Sequence, residues 1–139
     1  MKKTDHYRKH HDELRAIVGR LEPMLDVARI TADPALVATV VRDLFGKFSL
    51  HLAMEDSALY PKCAVADDPK LRHVALSFQT EMGDLSKTFD AYKRDWAGPI
   101  AIGRDPTAFV AATRQMLVSL KTRVRREEDS LYDLIDRAA

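Results

Sequence analysis

The sequence predicts an all-α fold, an up-and-down antiparallel four-helix bundle, on three observations. Asp-Pro occurs three times, at Asp33-Pro34, Asp68-Pro69 and Asp105-Pro106. Asp caps a helix start well, and Pro suits the first helical position, where its missing N–H has no partner to lose. Between these marks, apolar residues recur alternately three and four apart, the period of one helix face. The connections are short, which makes successive helices antiparallel neighbours.

The first helix is expected from about Asp5 to Ile30, kinked at Pro23. Its inward stripe reads His11, Leu14, Val18, Leu21, Leu25. The second runs from Pro34 to Tyr60 and stops at Pro61. Its stripe is Val37, Val41, Leu44, Phe48, His51, Glu55, Leu59. The third runs from Pro69 to Ala97, ahead of Gly98-Pro99. It shows Leu71, Ala75, Phe78, Met82, Leu85, Phe89, Tyr92, Trp96. The fourth runs from Pro106 to about Arg137. It shows Phe109, Thr113, Met116, Leu120, Arg123, Glu127, Leu131, Leu134. Gly19, Gly46 and Gly83 fall inside helices, where each costs up to ~1 kcal/mol against Ala. Close packing is the expected reason for them.

The chain's 139 residues fit one domain over residues 1–139, with a core large enough to need no staples. A net charge of +1 gives no reason to expect a nucleic-acid or acidic-membrane partner. The lone Cys63 has no internal disulfide partner, which suits a reducing compartment. The basic start MKKTDHYRKHHDEL lacks the apolar run of a signal peptide, and no window reaches membrane-spanning length. A cytoplasmic location is the expectation.

Five polar residues stand in the apolar stripes: His11, His51, Glu55, Arg123 and Glu127. They are related by an internal repeat of a helical hairpin, offset by about 71 residues. HLAMEDSALYP from His51 lies over RVRREEDSLYD from Arg123, so Glu55 matches Glu127 and Tyr60 matches Tyr132. His11 lies over Met82. A His and a Glu four residues apart share one helix face. Two such faces, opposed, can cage cations between imidazole nitrogen and carboxylate oxygen, a donor mixture suited to iron, manganese or zinc. The run KTRVRREED also fits a solvated charged face, with Arg123 reaching water. Its alternative is a buried Arg123–carboxylate pair. His6, His10 and His73 are read as surface residues, and Tyr92 and Trp96 as packing at the far end. Met82 is read as core filling. Cys63 has no evident base beside it.

The runs HHDELRAIVGRLE, HLAMEDSALYP and REEDSLYDLI resemble the hemerythrin-like HHE cation-binding domain family, over essentially the whole chain. The resemblance implies a His on the first helix, His-xxx-Glu on the second, a His on the third and His-xxx-Glu on the fourth. His11, His51, Glu55 and Glu127 match as metal ligands. Met82 and Arg123 stand where the two remaining histidines belong. Arg cannot ligate and carries a fixed positive charge. The reading is therefore a half-kept site holding at most one metal, iron first, with manganese, zinc and no metal as the other outcomes. The implied role is a metal-, oxygen- or redox-sensing or regulatory binding module, with an unidentified protein partner possible in that role. The alternative is a metal-free interaction module in which Arg123 replaces the cation. A non-haem iron oxidoreductase ranks third, because it needs a second metal or an open coordination position.

Overall fold

The computed structural model describes residues 2–138, which hold helices and turns and no strand. The element order is α1 (Asp5–Leu21), a 3₁₀ turn (Glu22–Met24), α2 (Val27–Ala32) and α3 (Pro34–Met54). A π turn (Glu55–Leu59) and α4 (Tyr60–Ala64) continue α3. Then come α5 (Pro69–Met82), α6 (Leu85–Asp95), α7 (Pro99–Arg104) and α8 (Pro106–Arg126), followed by a second π turn (Glu127–Leu131) and α9 (Tyr132–Arg137). These segments make four long helices packed as a bundle. The Asp-Pro starts are built as expected: Asp33, Asp68 and Asp105 accept backbone N–H bonds from Leu36, Lys70 and Ala108 at 3.3, 2.9 and 3.1 Å. Each such cap is worth about 1 kcal/mol.

Several boundaries differ from the sequence expectation. The first helix ends at Leu21 rather than Ile30. Pro23 sits inside the 3₁₀ turn, and Asp26 caps a new start by accepting the Ala28 N–H at 3.0 Å. The second helix does not stop at Pro61 but runs on to Ala64. The slip from π back to α hydrogen bonding already leaves a carbonyl without an intrahelical partner there, so the N–H that proline lacks is not missed. The third helix breaks at Gly83-Asp84 and ends at Asp95 rather than Ala97. A Cβ at Gly83 would lie 2.5 Å from the Gln79 carbonyl oxygen, so only glycine fits the break. Gly19 and Gly46 border open space, so close packing is not their reason. The short helices α2 and α7, at equivalent points of the two repeats, pack on α3 and α8 and close one end.

The core comes in two apolar clusters. The larger holds Leu14, Leu21, Leu44, Phe48, Phe89, Phe109 and Leu120 among others. Burial of each such side chain contributes roughly 1.5–3 kcal/mol. The smaller holds Leu59, Tyr60, Cys63, Leu71, Ala75, Phe78, Leu131 and Tyr132. The helical period explains the split: along α3 and the π turn after it the stripe runs from Phe48 through His51 and Glu55 to Leu59, so a polar layer separates the two clusters. At the end beyond that layer, Thr4 donates to Asp136 through its N–H at 3.0 Å and its hydroxyl at 2.8 Å, tying the start of α1 to α9. No helix among the described residues is long and apolar enough to cross a membrane.

Candidate metal centre

The polar layer is built from three of the four long helices. His11 comes from α1, His51 from α3, Arg123 from α8, and Glu55 and Glu127 open the two π turns. All five side chains are buried, His11, Glu55 and Glu127 completely. This decides the reading of KTRVRREED: Arg123 is inside, not on a solvated face. One donor atom from each of His11, His51, Glu55 and Glu127 lies within 4.8 Å of every other.

The inner edges are short. Nε2 of His11 faces Nε2 of His51 at 2.9 Å and Glu127 Oε1 at 3.2 Å. Nε2 of His51 lies 3.0 Å from Glu55 Oε1 and 3.8 Å from Glu127 Oε1. Metal–nitrogen and metal–oxygen bonds near 2.0–2.2 Å place neighbouring donors about 3.3 Å apart in a tetrahedral shell. Four of the six edges among these donors, at 2.9, 3.2, 3.0 and 3.8 Å, are therefore already near the spacing one small cation requires. Glu127 Oε1 is buried and accepts no hydrogen bond, and Nδ1 of His51 has no partner either. Leaving such groups unpaired costs about 1–3 kcal/mol each. A buried carboxylate oxygen aimed at two imidazole nitrogens and otherwise unsatisfied fits a cation.

Outer contacts orient these donors. Nδ1 of His11 pairs with Glu128 Oε2 at 2.9 Å, which turns Nε2 inward, the carboxylate–histidine arrangement of metal ligands. Arg15 bonds the other Glu128 oxygen. Tyr60 donates its hydroxyl to Glu127 Oε2 at 2.7 Å, and Tyr132 donates to Glu55 Oε2 at 2.5 Å while lying 3.1 Å from His11 Nε2. Arg123 completes the layer. Its Nη2 donates to Glu55 Oε1 at 3.1 Å and to Asp56 Oδ1 at 3.2 Å, and its Nε to Glu127 Oε2 at 3.3 Å.

The matching family model covers residues 2–135 and is the Hemerythrin HHE cation binding domain. The chain belongs to this family. No curated protein and no solved structure matches it. In this HHE domain His11, His51, Glu55, Arg123 and Glu127 lie at one level, five of the six residues that the repeat places over one another. Met82 stands to the side, packed against the smaller apolar cluster and lining a small cavity with Asp56, Tyr60 and Arg123.

Sequence reasoning missed the roles of Tyr60, Tyr132, Asp56 and Glu128. The two tyrosines carried a signal, since each follows its glutamate by five residues in both repeats. On an α-helix that spacing lies about 140° off the glutamate's direction. The π turn rotates the chain back and brings each tyrosine onto the layer, the usual association of π turns with functional positions. Cys63 is inert by comparison, its thiol pushed up to about 11 by burial.

The charges of the metal-free HHE layer are coupled. Burial works against charge on Glu127, but the His11 and His51 imidazoles and Arg123 hold its carboxyl below the ordinary range. Burial and the nearby Glu127 charge raise Glu55. Burial alone would lower His51, yet Glu127 and Glu55 lift it to about 9. Because its folded value lies above the ordinary 6.5, the stability that protonated His51 contributes is full below pH 6.5 and is lost as pH rises through about 9. Metal-free protein is therefore expected to weaken across that window, with a slope of at most about 1.4 kcal/mol per pH unit for one proton. Denaturant unfolding at successive pH values checks this, and a flat profile would show that His51 stays neutral. A cation must displace the same proton, so metal affinity is expected to climb over the same window.

Proposed function

We propose that this HHE domain holds a single divalent metal on His11, His51, Glu55 and Glu127, and that it serves as a metal-, oxygen- or redox-sensing or regulatory module rather than as a catalyst. The observation that carries this reading is the position of Arg123. Its guanidinium touches both carboxylates that would otherwise be shared by a second cation, and it supplies that cation's positive charge permanently. The donor set is two nitrogens and carboxylate oxygen, which suits ferrous iron first and manganese or zinc next. A bound iron would supply a one-electron couple inside a buried layer. The residues supply the rest: Glu128 fixes the His11 tautomer, Tyr132 and Tyr60 hold one oxygen each of Glu55 and Glu127, and the two apolar clusters exclude water.

Anaerobic reconstitution with ferrous iron, followed by gel filtration and elemental analysis, tests the proposal. The expected result is one metal per chain, reduced to a small fraction in Glu55→Gln and His51→Ala. Two irons per chain, giving an oxo-bridge absorption spectrum once the sample is exposed to air, would overturn it.

A second reading has its own support. Every carboxylate of the layer has a cationic or hydroxyl partner from the chain itself, so the layer is close to neutral without any metal. Under that reading the domain is an interaction module, and reconstitution gives no bound metal.

A further inference from the structure

His6 and His10 lie one turn apart on α1, on the same face, four residues being the helical spacing that brings two side chains together. Their ring centroids are 4.4 Å apart, with planes inclined at 55°. His6 is exposed and His10 half-buried. Among the described residues neither ring has a side-chain hydrogen-bond or ion-pair partner, so their nitrogens are not committed to holding the fold. The His10 ring then packs against His51 at 5.8 Å in a T-shaped contact, and His51 packs against His11 at 4.6 Å. The result is a file of four imidazoles, His6, His10, His51 and His11, leading from solvent to the buried layer. The third member carries a buried nitrogen, Nδ1, with no partner. A structural explanation accounts for His11 and His51 but leaves His6 and His10 without a task.

We propose that His6 and His10 form a second metal site, a surface pair of imidazoles that captures a divalent transition cation before it passes inward. The last clause rests on the buried-metal reading above, whereas the surface site does not. Two histidines at i and i+4 present two neutral nitrogens to one ion, which suits zinc, cobalt, nickel or copper, and the remaining positions are open to water. Glu13 lies one further turn along the same helix. It is already paired with Lys47 at 3.0 Å, so the two imidazoles are the free donors of this face. An open, partly hydrated shell of this kind exchanges its ion readily, as a point of capture must.

The test uses the full chain, metal-free, with Co²⁺ as the probe. Wild type is compared with His6→Ala/His10→Ala and with the milder His6→Gln, each checked for an unchanged melting temperature. Wild type is expected to show a fast-exchanging cobalt class, stripped by EDTA within mixing, besides any slowly exchanging buried cobalt. The double variant should lose the fast class and fill the slow one about tenfold more slowly, since the local ion concentration at the mouth is gone. His6→Gln should weaken the fast class. Survival of the fast class in the double variant would overturn the surface site, and an unchanged filling rate would overturn its capture role. Loss of the fast class in the double variant with no slow class in any of the proteins would support the surface site, overturn the capture role and count against the buried-metal reading.

Discussion

Replacing Arg123 with alanine in metal-free protein is expected to lower stability by about 3 kcal/mol, the cost of orphaning buried charge. For a chain of this size that is a drop of roughly 10 °C in Tm. The side chain is 3 % exposed and bonds Glu55, Asp56 and Glu127 at once. Removing it leaves Glu55 and Glu127 facing each other with only the protonated His51 between them. Two carboxylates at one buried level cannot both stay ionised cheaply, so one must take up a proton or the layer must open to water. Added metal should restore part of the loss in Arg123→Ala, because a cation can take up the same two oxygens. Unfolding curves with and without ferrous iron check both statements. An unchanged melting temperature would mean that Arg123 contributes nothing beyond packing.

The second large effect is a gain. Arg123→His combined with Met82→His is expected to raise iron content from one to two per chain. Arg123 and Met82 line one small cavity, so imidazoles at both positions would face each other across it. Glu55 and Glu127 would then have a second cation to share in place of the guanidinium. Each carries one oxygen directed at the histidines of the first site and one held by a tyrosine, an arrangement that allows bridging. Arg123→His alone should give intermediate occupancy, since one nitrogen ligand is still missing. Elemental analysis and the oxo-bridge absorption of the oxidised double variant are the readouts. If the double variant binds no more metal than wild type, the repeat correspondence between these residues and His11 and His51 does not hold in space.

Much of this arrangement is legible in the sequence because it follows from helical period and capping. Asp33-Pro34 and Asp105-Pro106 fix two helix starts. The polar interruptions at His51, Glu55, Arg123 and Glu127 then fall on the inward face by arithmetic alone. What was not legible follows from departures from that period. Pro61 looked like a stop because the slip in hydrogen bonding that tolerates it leaves no mark in composition. The same slip hid Tyr60 and Tyr132, which a regular helix would turn away from their glutamates. Glu128 sits beside Glu127 and faces α1, where only the three-dimensional approach of His11 gives it a partner. Gly83 stands out in the sequence as a glycine within a helix, but its reason is the Gln79 carbonyl behind it rather than a neighbouring helix.

The polar layer also divides the molecule mechanically. The bundle has no single continuous oily interior. It has a larger block running from the closed end to Phe48 and Leu120, and a smaller one of eight buried residues around Phe78 and Leu131, joined across charged groups. Dispersion and water exclusion hold each block internally, but the joint between them is electrostatic, and its strength depends on what carries the positive charge there. The smaller block is therefore the unit that can detach first, with α4, α5 and α9 opening below the cost of global unfolding. Whatever ion, proton or guanidinium occupies the joint sets how often that happens. Under the sensing role proposed above, the chemical state of the layer would be read at the protein surface as the frequency with which one end of the bundle comes undone.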